Sequence, residues 1–155
     1  MNEKLCSVIT NEEIERALFM MHPNKSPGPD GFTAGFYIHH WHLLKDVVCN
    51  VVRSFLEGGD MPEVVNSTVL VLIPKIKNPQ DLTQYRPISL CNVLYKLASK
   101  VLALRLRPVL HHIIAEEQTA FIQGRLISDN VLTAYECIHY LKKKKGKSGD
   151  VTVKL

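Results

Sequence analysis

The fold turns on residues 67–90, STVLVLIPKIKNPQDLTQYRPISL. Residues 67–73 are β-branched and aliphatic with almost no polar interruption, which predicts a strand buried on both faces. Pro74 ends it, because proline has no N–H to continue a ladder. KIKNPQDLTQY then runs polar and proline-punctuated, and Arg86-Pro87-Ile88-Ser89-Leu90 returns extended. Strand, loop and return make a small antiparallel arm.

Outside the arm, the periodicity is helical. Thr10 and Glu13 form a capping box ahead of Ile14, Ala17, Leu18 and Met21, predicting a helix over 11–21 that stops before Pro23. Residues 33–57 carry Phe36, Leu43, Leu44, Val47, Val48, Val51, Val52 and Phe55, predicting one long helix closed by Gly58-Gly59. Residues 92–107 repeat the pattern with Val93, Leu94, Leu97, Val101 and Leu104. Ser128 or Asp129 caps a last helix running to about Lys145, with Val131, Tyr135, Ile138 and Leu141 inward. Val151–Leu155 read as the start of a strand. The fold class is therefore α+β, mostly helical.

Hydrophobic residues make up 46% of the 155-residue chain and charged residues 22%, as in a globular protein, so disorder is not the default expectation. No run of 18 apolar residues exists, so no membrane partner is expected. Cys6, Cys49, Cys91 and Cys137 lie far apart without a CxxC pair, which argues against a zinc ribbon and for buried free thiols. Net charge is +4 but uneven: residues 66–110 hold 7 basic side chains against Asp81 alone. Such a zone suits a polyanion, or is a solvated face. On the helix over 92–107, Lys96, Lys100 and Arg107 fall within about 40° of each other and could follow a phosphate backbone or simply face water.

Several chemistries find no support. Gly146-Lys147-Ser148 has Leu141 where a phosphate-binding loop needs glycine. His39, His40 and His42 are spaced so that only two share a helix face, which suits packing better than a metal. Acidic neighbours occur only as Glu12-Glu13 and Glu116-Glu117, and no Asp-Asp pair exists. Two-metal chemistry needs clustered carboxylates, so no catalytic and no metal-binding residue is expected in this chain. NKSPGPDGF (24–32) is either a linker or a rigid loop presenting backbone amides and Lys25 to a ligand.

NKSPGPDGF (24–32), TVLVLIPKIKNP (68–79), YRPISLCNVLYKLASKVLALRLRPVL (85–110) and QTAFIQGRLISDNVLTAYECIHYL (118–141), in that order, resemble the N-terminal part of the reverse transcriptase of LINE-type, non-LTR retrotransposons, in its plant-type version. The resemblance implies that residues 1–155 are the fingers side of a right-hand polymerase and the approach to its palm. Lys75 and Arg86 would lie beside the triphosphate of the incoming dNTP, where a lysine point charge and an arginine fork suit phosphate. Lys25, Pro27, Gly28, Asp30 and Gly31, together with Phe121, Gln123, Gly124 and Arg125, would face the template.

In such relatives a strand like VTVKL leads into the first metal-binding aspartate, and an Asp-Asp pair follows. The resemblance thus implies a chain lacking the three palm aspartates and the thumb, inactive alone, with no cofactor of its own and Mg²⁺ only in the complete enzyme. Partners would be RNA template, DNA primer and dNTP, in a nuclear setting. A non-catalytic nucleic-acid-binding module and a retroelement relic are the alternatives.

Overall fold

The structure, a computed structural model, describes residues 5–119, 122 and 124–144. The predicted strand at 151–155, the glycine turn at 146 and Lys145 lie outside the described residues. The chain divides into two compact units, Met1–Leu106 and Arg107–Leu155.

The first unit begins with α1 (Asn11–Phe19). Its capping box is formed as predicted: Glu13 N–H donates to Thr10 Oγ1 at 3.2 Å, and Thr10 N–H donates to the Glu13 carboxylate at 3.1 Å. Ile14, Ala17 and Leu18 face the core. The helix predicted over 33–57 is two helices, α2 (Ala34–His39) and α3 (Trp41–Leu56), which meet at His40. No proline or glycine stands at the break, and the apolar period runs through it. Tertiary packing sets it, for the residues on either side, Tyr37 and Trp41, both enter the core. The predicted glycine end is present: Gly58, at φ +100°, donates to Phe55 O, and Gly59 N–H reaches Ser54 O at 2.8 Å.

A short α4 (Glu63–Asn66) leads into β1 (Thr68–Pro74). A 3₁₀ turn (Leu82–Gln84) and β2 (Tyr85–Cys91) complete the arm, antiparallel from Thr68↔Cys91 to Pro74↔Tyr85. The arm is where the sequence places it, but its burial is not: all seven residues of β1 are exposed. The sheet has two strands only, and the apolar run marks a ribbon with no element of the described chain laid over it. Its prolines are harmless. Lys75 N–H donates to Gln84 O at 2.7 Å, which fixes the phase of the ladder and puts Pro74 and Pro87 at positions that need no donor.

α5 (Val93–Ile113) runs past the predicted limit of 107 and through Pro108. Proline there forfeits the bond to Leu104 O. Val109, one residue on, is buried. The inward face is as predicted, with Val93, Leu97 and Val101 buried beside Val48, Cys49 and Val52.

Arg105 ties the N-terminal segment to this core. Its guanidinium donates to the carbonyls of Leu5 (3.1 Å), Ser7 (2.6 Å) and Val8 (3.0 Å) and to both Glu13 oxygens (3.2 and 2.7 Å). The hydrogen bond from Arg105 holds the Glu13 carboxyl below its usual range, helped by the Thr10 N–H. A carboxylate so depressed stabilises the fold fully above its unfolded value, about 4.3. That contribution is lost as pH falls through the lower folded value. Urea midpoints measured from pH 7 down to pH 3 are expected to fall more steeply in the natural chain than in Glu13→Gln. Parallel curves would show the pair to be uncoupled.

In the second unit α6 (Ile127–Lys143) starts with Asp129 reaching back to Leu126 N–H at 3.3 Å, one turn inside the helix rather than at its cap. The residues predicted inward are not buried: Val131, Tyr135 and Ile138 are exposed, and no α6 residue is buried. Periodicity identified the apolar face, but among the described residues nothing covers it. The thiols are corrected likewise: Cys49 is buried, Cys91 is half-buried, and Cys6 and Cys137 are exposed. Among the described residues no helix is long and apolar enough to cross a membrane.

Candidate functional site

The loop at 24–32 is fastened to the body of the first unit rather than strung between domains. Asn92, 1% exposed, is the fastener. Its Oδ1 accepts from Asp30 N–H at 3.1 Å, and its Nδ2 donates to Val64 O at 2.9 Å and Val65 O at 3.1 Å. One amide therefore joins the loop, α4 and the start of α5, with both its donors and its acceptor used. Gly28 lies directly on it: a Cβ there would stand 2.2 Å from Asn92 Oδ1 and 2.4 Å from Asn92 N. Gly31 donates to Gly28 O at 3.1 Å and turns the chain at φ +76°, which glycine alone adopts freely. The Asp30 carboxylate accepts from Phe32 N–H at 3.0 Å. Lys25 is exposed and Pro27 half-buried.

Lys96, read as following a phosphate backbone or facing water, donates to Ser26 O at 2.9 Å and so braces the same loop. Lys100 is half-buried on α5, and Arg107, exposed, opens the second unit.

On the arm, Ile73 pairs with Arg86, and directly opposed residues share a face. Lys75 stands two residues beyond Ile73 and is bonded to Gln84, so it falls on that face too. Lys75 and Arg86 are diagonal neighbours, at a spacing of about 7–8 Å. Lys75 Nζ rests on Thr83 O at 2.8 Å, while Gln84 Oε1 accepts from Gln80 N–H at 2.7 Å and stiffens the turn. The two cationic residues thus share a face at the loop end of an exposed ribbon.

In the second unit Gly124 adopts φ +85°. Arg125 donates to the carbonyls of Ala115 (2.5 Å), Gln118 (2.7 Å) and Ile114 (3.4 Å). Its fork closes the turn after α5. Phe121 and Gln123 lie outside the described residues. The histidines at 39 and 40 pack ring against ring, with centroids 4.9 Å apart. Among the described residues no three His, Cys, Asp or Glu lie together as a metal site would need.

Sequence reasoning missed Asn92 and Arg105. Asparagine before a helix reads as a local cap, and nothing in its neighbourhood announces a partner 62 residues away. An arginine inside a helical period reads as surface.

The chain matches the family described as "Reverse transcriptase (RNA-dependent DNA polymerase)" over residues 73–154. It is 34% identical over 141 residues to the transposon TX1 uncharacterized 149 kDa protein of Xenopus laevis, covering 91% of this chain and 11% of that protein. It is 33% identical over 113 residues to a retrovirus-related Pol polyprotein from the type-1 retrotransposable element R2 of Bradysia coprophila, covering 71% and 12%. With the type-2 element R2DM polyprotein of Drosophila melanogaster it shares 30% over 107 residues, covering 67% and 9%. The chain spans about a tenth of the length of these relatives.

Proposed function

The chain belongs to the reverse transcriptase family of non-LTR retrotransposons, RNA-dependent DNA polymerases, and from this we propose that it is the fingers side of such an enzyme, gripping the incoming dNTP and the template. The family acts on an RNA template, a primer and dNTPs. The observation that carries the nucleotide half is the shared face of Lys75 and Arg86 on a stiff, exposed arm. Phosphoryl transfer is catalysed largely by positioning and charge neutralisation, and an arginine fork beside a lysine supplies both for a triphosphate. Lys75 would exchange its bond to Thr83 O for a phosphate oxygen. The template half rests on the loop 24–32, held by Asn92 and Lys96 with Lys25 exposed. Arg125, with its fork on three carbonyls, acts by holding the turn that carries Gly124.

The 155 residues contain no Asp-Asp pair. We therefore expect no polymerisation from them alone. Carboxylates for Mg²⁺ would come from other polypeptide, as in the complete enzyme.

The test is primer extension on an RNA template, with this chain joined in frame to the remaining polymerase portion of a similar R2 polyprotein. Arg86→Ala is expected to raise KM for dNTP by about 10- to 100-fold, the worth of a hydrogen-bonded charge. An unchanged KM would remove Arg86 from the nucleotide site.

A further inference from the structure

Three aromatic rings form a row where the loop enters α2. Phe32 and Phe36 lie 4.5 Å apart between centroids with a tilt of 33°, and Phe36 lies 4.9 Å from His40. Phe32 keeps 44% and Phe36 36% of its surface exposed. The row is nonetheless fixed. Tyr37, itself buried, meets both phenyl rings edge-on at 6.4 and 5.5 Å. The Asp30 carboxylate holds Phe32 N–H, and Gly35 N–H donates to Pro23 O at 3.1 Å, which draws the start of the loop against α2.

The charge of this stretch of chain is selective. Residues 1–65 carry 9 acidic side chains against 5 basic, yet between 22 and 42 Asp30 is the one acid. That acid is turned onto Phe32 N–H. The same stretch holds Lys25 and four histidines, of which His22, His39 and His42 are exposed. Phenyl rings held in place yet more than a third exposed, on a stretch of chain with Lys25, hydrogen-bonding imidazoles and one engaged carboxylate, match a partner that alternates π-faces with phosphates.

We propose that the Phe32–Phe36–His40 row is a stacking platform for unpaired bases of a single-stranded nucleic acid, an inference that rests on the template role assigned above to the adjoining loop. An apolar protein surface would require only hydrophobic area, which leucine supplies; a base requires a ring.

The experiment measures fluorescence anisotropy of the full 155-residue chain with labelled oligouridylate, and with the same strand carrying abasic sites, across a salt series. Phe32→Leu and Phe36→Leu, checked by circular dichroism melts, are each expected to weaken oligouridylate binding by about fivefold to tenfold. The salt slope, which counts phosphate contacts, should stay unchanged. The natural chain should bind the abasic strand more weakly by a similar factor, a comparison that needs no variant. Steep salt dependence with equal affinity for intact and abasic strands would overturn the platform and leave the template loop standing. Leucine variants that bind like the natural chain would overturn it as well and favour an apolar partner. Absence of binding by the natural chain at low salt would overturn both readings.

Discussion

Arg105→Ala is expected to destabilise the first unit by about 3 kcal/mol, the lower end for breaking a buried charge pair. The arginine side chain is 9% exposed, and Glu13 is more open at 27%. Removing the guanidinium strands a carboxylate and the carbonyls of Leu5, Ser7 and Val8 together. Each loses a donor that water replaces imperfectly. For a chain of this size the melting temperature should fall by roughly 6–12 °C. Arg105→Lys separates charge from geometry. A lysine keeps the positive charge but cannot span two carboxylate oxygens and three carbonyls at once. It is expected to recover less than half of the loss. Full recovery by lysine, or a melting temperature unchanged in Arg105→Ala, would reduce the hub to a surface ion pair.

The consequence reaches beyond stability. Glu13 caps α1, and α1 packs with α3 and α5 in one core through Leu18, Val52 and Leu97. The loop at 24–32 is anchored on the first residues of α5 through Asn92 and Lys96. Loosening the N-terminal segment therefore loosens the frame that presents the candidate template face.

How far the sequence carries can be judged from these elements. The capping box at Thr10, the glycine end of α3, the arm and the inward face of α5 are local patterns, and each formed where its residues placed it. What failed was inference about covering. Residues 67–73 and the apolar side of α6 say that a face is hydrophobic, but whether anything lies upon it depends on chain elsewhere. The break at His40 failed for a related reason, since no local residue encodes it. In the candidate site the charges at Lys75 and Arg86 were legible because residue type and order carry them. The fastener at Asn92 was not, because its partners, Asp30, Val64 and Val65, are distant in sequence.

Gly28→Ala tests that fastener most directly. Gly28 and Gly31 stand three residues apart in one loop but are glycine for different reasons. Gly31 has a positive φ and open space around its Cβ position, so Gly31→Ala meets backbone strain alone, about 1 kcal/mol. Gly28 has no such φ, and its obstacle is contact: an added Cβ would lie 2.4 Å from Asn92 N and 2.6 Å from Asn92 Cα. Main-chain atoms at the head of a buried helix cannot swing aside as a flexible side chain does, so the loop must lift. Lifting it breaks the Asp30–Asn92 bond and leaves a buried amide oxygen without its donor. Overpacking and that lost bond together should cost about 3 kcal/mol. The added Cβ also meets the Asn92 amide oxygen, but removing that side chain leaves the main-chain contacts in place, so combining Gly28→Ala with Asn92→Ala should not restore stability; the double variant should be the least stable of the three. Urea denaturation of both singles and the double decides the matter. If the double variant recovered the stability of Asn92→Ala, the obstruction would lie in the amide side chain, and the loop would rest on α5 less closely than the geometry states.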